Sequence, residues 1–278
     1  ARLNHRRPND GDIYSPDRRE HMPQSQRATP HLVATSGSPA EEKNSFIEMA
    51  ERLRASPIPS SELLYNLGLY MPRQALSRVL FIHELYKLIV PVHGSIAEFG
   101  VRWGQNLSLF SSLRGIYEPH NYNRKIIGFD TFNGFPTVAA QDGANPAIRT
   151  GAYGVADDWA AQLEEMLVFH ERQSPIPHIR KFELVAGDAT ETLPAYLAKH
   201  PETIFALVYF DFDLYAPTKA CLEAIKPHLT QGSVIAFDEL NCATFPGETI
   251  AVREVLGLDR IALRRVAYSP LTSYAVIG

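Results

Sequence analysis

Ser95-Ile96-Ala97-Glu98-Phe99-Gly100-Val101-Arg102-Trp103-Gly104-Gln105-Asn106 is the stretch whose reading decides the fold. A short apolar run closes on an acid, two glycines four positions apart follow, and a helix-like segment begins. Strand, tight glycine turn and helix N-terminus is how an α/β domain receives a nucleotide-like ligand. The spacing is not that of the dinucleotide fingerprint G-x-G-x-x-G. A pyrophosphate needs close backbone approach at two places in that turn, and Arg102 and Trp103 stand there instead. No GK[ST] follows, which removes a phosphate-binding loop as well. What fits is a cofactor without phosphates, although a glycine turn of this kind also serves packing alone.

Downstream of this turn strand and helix signals alternate. Strands are expected at 95–101, 125–130, 181–187, 203–211, 233–237, 261–266 and 274–276. Helices are expected at 105–114, 156–172, 191–199, 217–228 and 248–256. The run TIFALVYFD at 203–211 is almost wholly apolar, the mark of a central strand buried on both faces. Repeated βα units imply a parallel, doubly wound sheet with right-handed crossovers. Upstream, 41–55 and 72–89 read as helices, the second from Leu76, Val79, Leu80, Ile82, Leu85, Tyr86 and Ile89 at three- and four-residue spacing. Residues 1–40 are rich in Arg, Pro, Asp, Ser and Gln, too polar to offset their ordering entropy, and read as a flexible arm. The expected organisation is the arm 1–40, a helical extension or cap over 41–92, and the main domain over 93–278. The segment 137–155 is too long for a simple connection and follows the second strand, where a lid over a ligand is expected.

Composition narrows the class. At 278 residues, with 45% apolar and 21% charged content, the chain has room for one sizeable domain plus an extension. A formal net charge of −4 gives no electrostatic case for nucleic acid or an anionic membrane surface as partner. Two cysteines, Cys221 and Cys242, are too few for a disulfide framework. No apolar run approaches the ~18 residues of a membrane span. A cytoplasmic protein acting on a small molecule is expected, and a homo-oligomer joined through the N-terminal arm. Ten histidines are scattered without HxxxH or HExxH spacing, and no G-x-S-x-G occurs, so neither zinc nor a serine nucleophile is indicated.

The chemistry-bearing residues cluster at strand ends. Asp130 ends the second strand, where a carboxylate can hold a ribose diol, and Gly187-Asp188 ends the third, where an adenine edge could be read. Each aspartate singly is more simply a cap or turn residue, but three successive ends carrying glycine and acid point to a nucleoside site. At the next two ends stand Asp211-Phe212-Asp213-Leu214-Tyr215 and Asp238-Glu239. Carboxylates so placed repel unless a cation lies among them, and all-oxygen donors point to Mg²⁺ or Ca²⁺. Asp211 with Asp238 is the expected pair, while Asp213 reads as solvent-facing.

These residues resemble those of the macrocin type of S-adenosylmethionine-dependent class I O-methyltransferases. The similarity runs from Tyr70 to the C-terminus through AEFGVRWGQN at 97–106, GFDTFNGFP at 128–136 and GDATETLP at 187–194. It continues through FDFDLYAPT at 210–218, QGSVIAFDE at 231–239 and PGETIAVREV at 246–255. The resemblance implies a Rossmann-like sheet of seven strands, the last antiparallel, and S-adenosylmethionine held by Glu98, Gly100, Arg102, Gly104, Asn106, Asp130 and Asp188. It also implies Mg²⁺ or another hard divalent cation on Asp211, Asp238 and Glu239, with Glu239 departing from the family's usual aspartate. The reaction so implied methylates a sugar hydroxyl of a glycosylated natural product or an activated sugar. Asp211 is the expected proton acceptor. Trp103, Phe132, Phe135 and Tyr153 are candidate walls of the acceptor pocket. Two other readings compete: catechol-type methylation of an aromatic diol, and a non-catalytic nucleoside-binding domain.

Overall fold

The computed structural model describes residues 39–278, and the arm expected over 1–40 lies, up to residue 38, outside the described residues. Five strands run parallel: β1 (Ser95–Phe99), β2 (Ile126–Asp130), β3 (Phe182–Ala186), β4 (Phe205–Phe210) and β5 (Leu229–Phe237). Two short strands, β6 (Arg264–Arg265) and β7 (Ser273–Val276), complete a seven-stranded sheet in the order β3-β2-β1-β4-β5-β7-β6. β7 is antiparallel to both of its neighbours. Sequence order reverses between β1 and β4, which opens a crevice at their carboxyl ends, where ligands of such sheets bind.

Helices precede and connect these strands: α1 (Ala40–Arg54), α2 (Ser60–Leu63), α3 (Arg73–Ile89), α4 (Gln105–Tyr117), α5 (Trp159–Gln173), α6 (Ala189–Lys199), α7 (Tyr215–Ile225) and α8 (Pro246–Val255). Alternation along the strands sorts side chains between two cores. Ile96 of β1 and Tyr209 of β4 join Phe81, Leu85 and Ile89 of α3 and Leu107 and Phe110 of α4. Ala97, Phe99, Val208 and Phe210 face the other way, onto Leu193 of α6, Leu222 of α7 and Val252 of α8. Every residue of β4 is buried, as its unbroken apolar run predicts for a strand covered on both sides. α3 is thus part of the main core, whereas α1 has no buried residue.

Several boundaries differ from expectation for local reasons. β1 stops at Phe99 because Gly100 turns to φ +90°. α6 begins at Ala189, since the Asp188 side chain caps it by accepting the Thr190 N–H. The strand expected over 261–266 contracts to two residues at the sheet edge.

One part of the interior is ionic. Glu171 of α5 pairs with the guanidinium of Arg114 and with Lys181 Nζ at 2.6 Å, all three buried. Arg114 also donates to the Lys181 carbonyl at 2.8 Å, so this cluster ties α4, α5 and the entry to β3 together.

Candidate active site

The crevice at the β1–β4 switch point is a cleft of about 380 Å³, within the usual size range of small-ligand pockets. Strand alternation puts Glu98 on the cleft side, 1% exposed, with Oε1 accepting from Asn106 Nδ2 at 2.9 Å. Its Oε2 has no partner among the described residues. Burial pushes the carboxyl up to about 8, only partly opposed by the Asn106 hydrogen bond. A buried acceptor with no cation paired to it among the described residues suits a ligand that brings donors or positive charge.

The glycines of the turn have reasons of their own. A Cβ on Gly100 would lie 2.0 Å from the Asp211 carbonyl oxygen, and one on Gly104 would lie 2.2 Å from Leu163 Cδ1. Both residues have positive φ, so here glycine serves the close approach of the β4 loop and α5. Arg102 follows at φ +48°, its N–H donating to Asp130 Oδ2 at 2.8 Å, while Asp130 Oδ1 accepts the Phe132 N–H at 2.5 Å. Burial raises the Asp130 carboxyl against those backbone bonds. The carboxylate expected to hold a ribose therefore first braces two turns, and it lines the cleft as well. Asp188 lines the same cleft, with Oδ1 committed to the Thr190 N–H and hydroxyl. Glu98, Gly100, Arg102, Gly104, Asn106, Asp130 and Asp188 all border this one cleft. An unpartnered buried acceptor, two acids at successive strand ends and a pocket of this size fit a nucleoside cofactor.

The acids expected to hold a metal border the same cleft. Asp211, Asp213, Asp238 and Glu239 all line the cleft, and Glu239 Oε2 is buried without a partner among the described residues. Yet among the described residues no three His, Cys, Asp or Glu side chains are grouped so as to hold a metal ion. Arg78 of α3 occupies the space between two of them, 2.7 Å from Asp238 Oδ2 and 3.5 Å from Asp211 Oδ2. Tyr209 donates to Asp238 Oδ1 at 2.7 Å and completes its surroundings. The donors are the hard oxygens such an ion prefers, but as arranged they do not fit one, because an arginine is already there.

Three residues that sequence reasoning passed over belong with these acids. Asp213, read as solvent-facing, lines the cleft at φ +62°. Its carboxyl is raised well above the usual range by burial and by Glu239 and Asp238 nearby. Period-two spacing from Asp211 was the available signal, and a positive φ has no sequence mark in an aspartate. Glu248 of α8 is fully buried and accepts the Glu239 N–H at 3.2 Å, fixing the backbone of that acid from behind. Arg78 lies 160 positions from Asp238, so nothing local could pair them.

Of the expected lid, 137–155, Tyr153 borders the cleft, and the segment shares in a small core of its own. Phe135, Ala147, Ile148 and Ala152 pack on Leu214 and Phe245. Asp142, buried, anchors the segment by accepting the Ala139 N–H at 2.7 Å and the Tyr215 N–H at 2.6 Å. Of the candidate wall aromatics, Trp103, Phe135 and Tyr153 border the cleft, whereas Phe132 is packed in the main core. Tyr153 sits under the Arg102 guanidinium, 5.0 Å from ring centre to Cζ.

No protein-family model matches the chain, and a search of curated proteins found no relative. Solved structures do match. A calicheamicin methyltransferase, CalS11, is 44% identical with a TM-score of 0.85, covering 92% of this chain and 100% of its own. The chain belongs to this O-methyltransferase family. A second structure of CalS11, described as a TDP-rhamnose 3′-O-methyltransferase of calicheamicin biosynthesis, is 42% identical with a TM-score of 0.78, covering 88% and 98%. The O-methyltransferase NovP, at 20% identity and a TM-score of 0.55, covers 72% of this chain and 79% of its own, and shares the fold. The macrocin-type resemblance drawn from the strand-end motifs is thereby upheld, and the protein is an S-adenosylmethionine-dependent O-methyltransferase. Among the described residues no helix is long and apolar enough to cross a membrane.

Proposed function

We propose that this methyltransferase transfers a methyl group to a hydroxyl of a deoxysugar carried on a nucleoside diphosphate. The observation that carries the reading is the 44% identity, over nearly the full length of both chains, to CalS11, described as acting on TDP-rhamnose. A sugar joined to a natural product is the alternative within the same class. The catechol reading loses ground to the strength of the CalS11 match.

Bound S-adenosylmethionine supplies a methyl on a sulfonium, an electrophile that needs no further activation. Glu98 and Asn106 would face its methionine part, Asp130 its ribose and Asp188 the neighbourhood of its base. The chain's further task is to orient a poor nucleophile and take its proton. Asp211 was the expected acceptor, but it shares the Arg78 guanidinium. Asp213 lines the same cleft and, unlike Asp211, has no hydrogen-bond or ion-pair partner among the described residues, which leaves its carboxylate the freer of the two to take the hydroxyl proton. Residues 41–92 would act as a cap, with α3 closing the acid side of the cleft, and 93–278 as the catalytic domain.

The reading is tested by incubating the protein with labelled S-adenosylmethionine and a panel of TDP-deoxysugars, glycosylated products and catechols, with and without EDTA. Label in a TDP-deoxysugar, with its position fixed by NMR, is the expected result. Label confined to catechols would refute the sugar assignment.

A further inference from the structure

Four carboxyl groups, Asp211, Asp213, Asp238 and Glu239, line the acid wall, and the cation paired with two of them comes from outside the sheet. Arg78 lies on α3, whose buried residues Phe81, Ile82, Leu85, Tyr86 and Ile89 fasten that helix to the main core. Its guanidinium therefore has a fixed origin. It reaches Asp238 at 2.7 Å, Asp211 at 3.5 Å and the Tyr209 hydroxyl at 3.3 Å. The Tyr209 hydroxyl in turn donates to Asp238 at 2.7 Å. Four side chains from α3, β4 and the ends of β4 and β5 thus form one closed network. Arg102, the other cation bordering the cleft, is engaged with Tyr153 on the lid side.

We propose that Arg78 is the resident counter-cation of this wall and a positioning residue for the reaction. It stands where the family resemblance leads one to expect a divalent ion, and it fixes Asp211 and Asp238 behind the acceptor hydroxyl. A guanidinium suits the task, since its planar fork can engage both carboxylates at once and keeps its charge at any working pH. Arg78 and a divalent ion compete for the same two carboxylates, so removing the arginine should create an ion site rather than destroy one. The inference rests on the methyltransferase reading of the cleft, but its test is separate.

The test is a titration of cofactor-free protein with Mn²⁺ followed by electron paramagnetic resonance. Wild type, Arg78→Met and Arg78→Lys are compared, and S-adenosylhomocysteine calorimetry on each confirms an intact cleft. The wild type should show no saturable submillimolar site. Arg78→Met should bind Mn²⁺ at least about tenfold more tightly, because two like charges then lack a partner. Arg78→Lys should stay close to wild type. No gain in Arg78→Met overturns the proposal, whether the wild type binds Mn²⁺ tightly or not at all. If Arg78→Met does not fold, the wild type decides alone: a tight saturable site overturns the proposal, and its absence up to millimolar Mn²⁺ supports it. Failure of the wild type to bind S-adenosylhomocysteine would count instead against the cofactor reading.

Discussion

At Gly100 the backbone of the Asp211 loop comes so close that no side chain fits, and φ is +90° as well. Gly100→Ala should therefore cost about 2 kcal/mol or more, from strain and from a contact with rigid backbone. A fall in thermal midpoint, with cofactor affinity lowered in parallel, is the expected measurement. A neighbouring position separates chemistry from structure. Asp213→Asn removes a proton acceptor that has no partner to lose among the described residues, so turnover should fall about 10²- to 10⁴-fold. S-adenosylhomocysteine binding, read by calorimetry, should change little. Asp211→Asn should instead disturb the Arg78 pairing, with a shift in stability alongside the loss of rate.

Among the elements, the segment 137–155 depends on one buried carboxylate. Asp142 accepts backbone N–H groups from both the segment itself and the start of α7. Asp142→Ala leaves both half-buried donors without that acceptor, which should cost about 1 kcal/mol each. Proteolytic cleavage within 137–155 should accelerate, while the parallel strands keep their hydrogen-exchange protection. The α4–α5–β3 cluster is the second such dependence. Glu171→Ala strands Arg114 and Lys181 in the interior, and breaking a buried pair in this way costs roughly 3–5 kcal/mol. A denaturation midpoint well below that of an exposed control such as Glu48→Ala is the expected result.

For the molecule as a whole, what the sequence made legible was whatever repeats at short range. The apolar run of β4, the glycine turn after β1 and the acids at five strand ends are local patterns, and the sheet follows from them by the rules of parallel packing. Arg78 was illegible because its partners are set by the meeting of α3 with β4 and β5, not by spacing. The division of labour among the acids was hidden for the same reason: Asp213 and Glu248 acquire their surroundings only when the β4 and β5 loops and α8 converge. Glu98 lies between these cases. Its place was readable from the strand pattern, its burial was not, and the burial has a consequence for the entire fold. In the unfolded chain its carboxyl titrates near 4.5, and in the folded protein at about 8. Between those values the folded state holds a proton that the unfolded state has released, so this group's contribution is complete below pH 4.5 and is lost as pH rises through 8. Glu98→Gln keeps an acceptor for Asn106 and removes the titration. Urea midpoints of the cofactor-free protein should then decline less between pH 5 and 9 for the variant, which becomes the more stable form at the alkaline end. Its affinity for S-adenosylmethionine should fall, because the amide no longer offers a negative charge to the bound cation. A wild-type stability profile as flat as that of the variant would place the proton elsewhere and leave Glu98 ionised in the empty cleft.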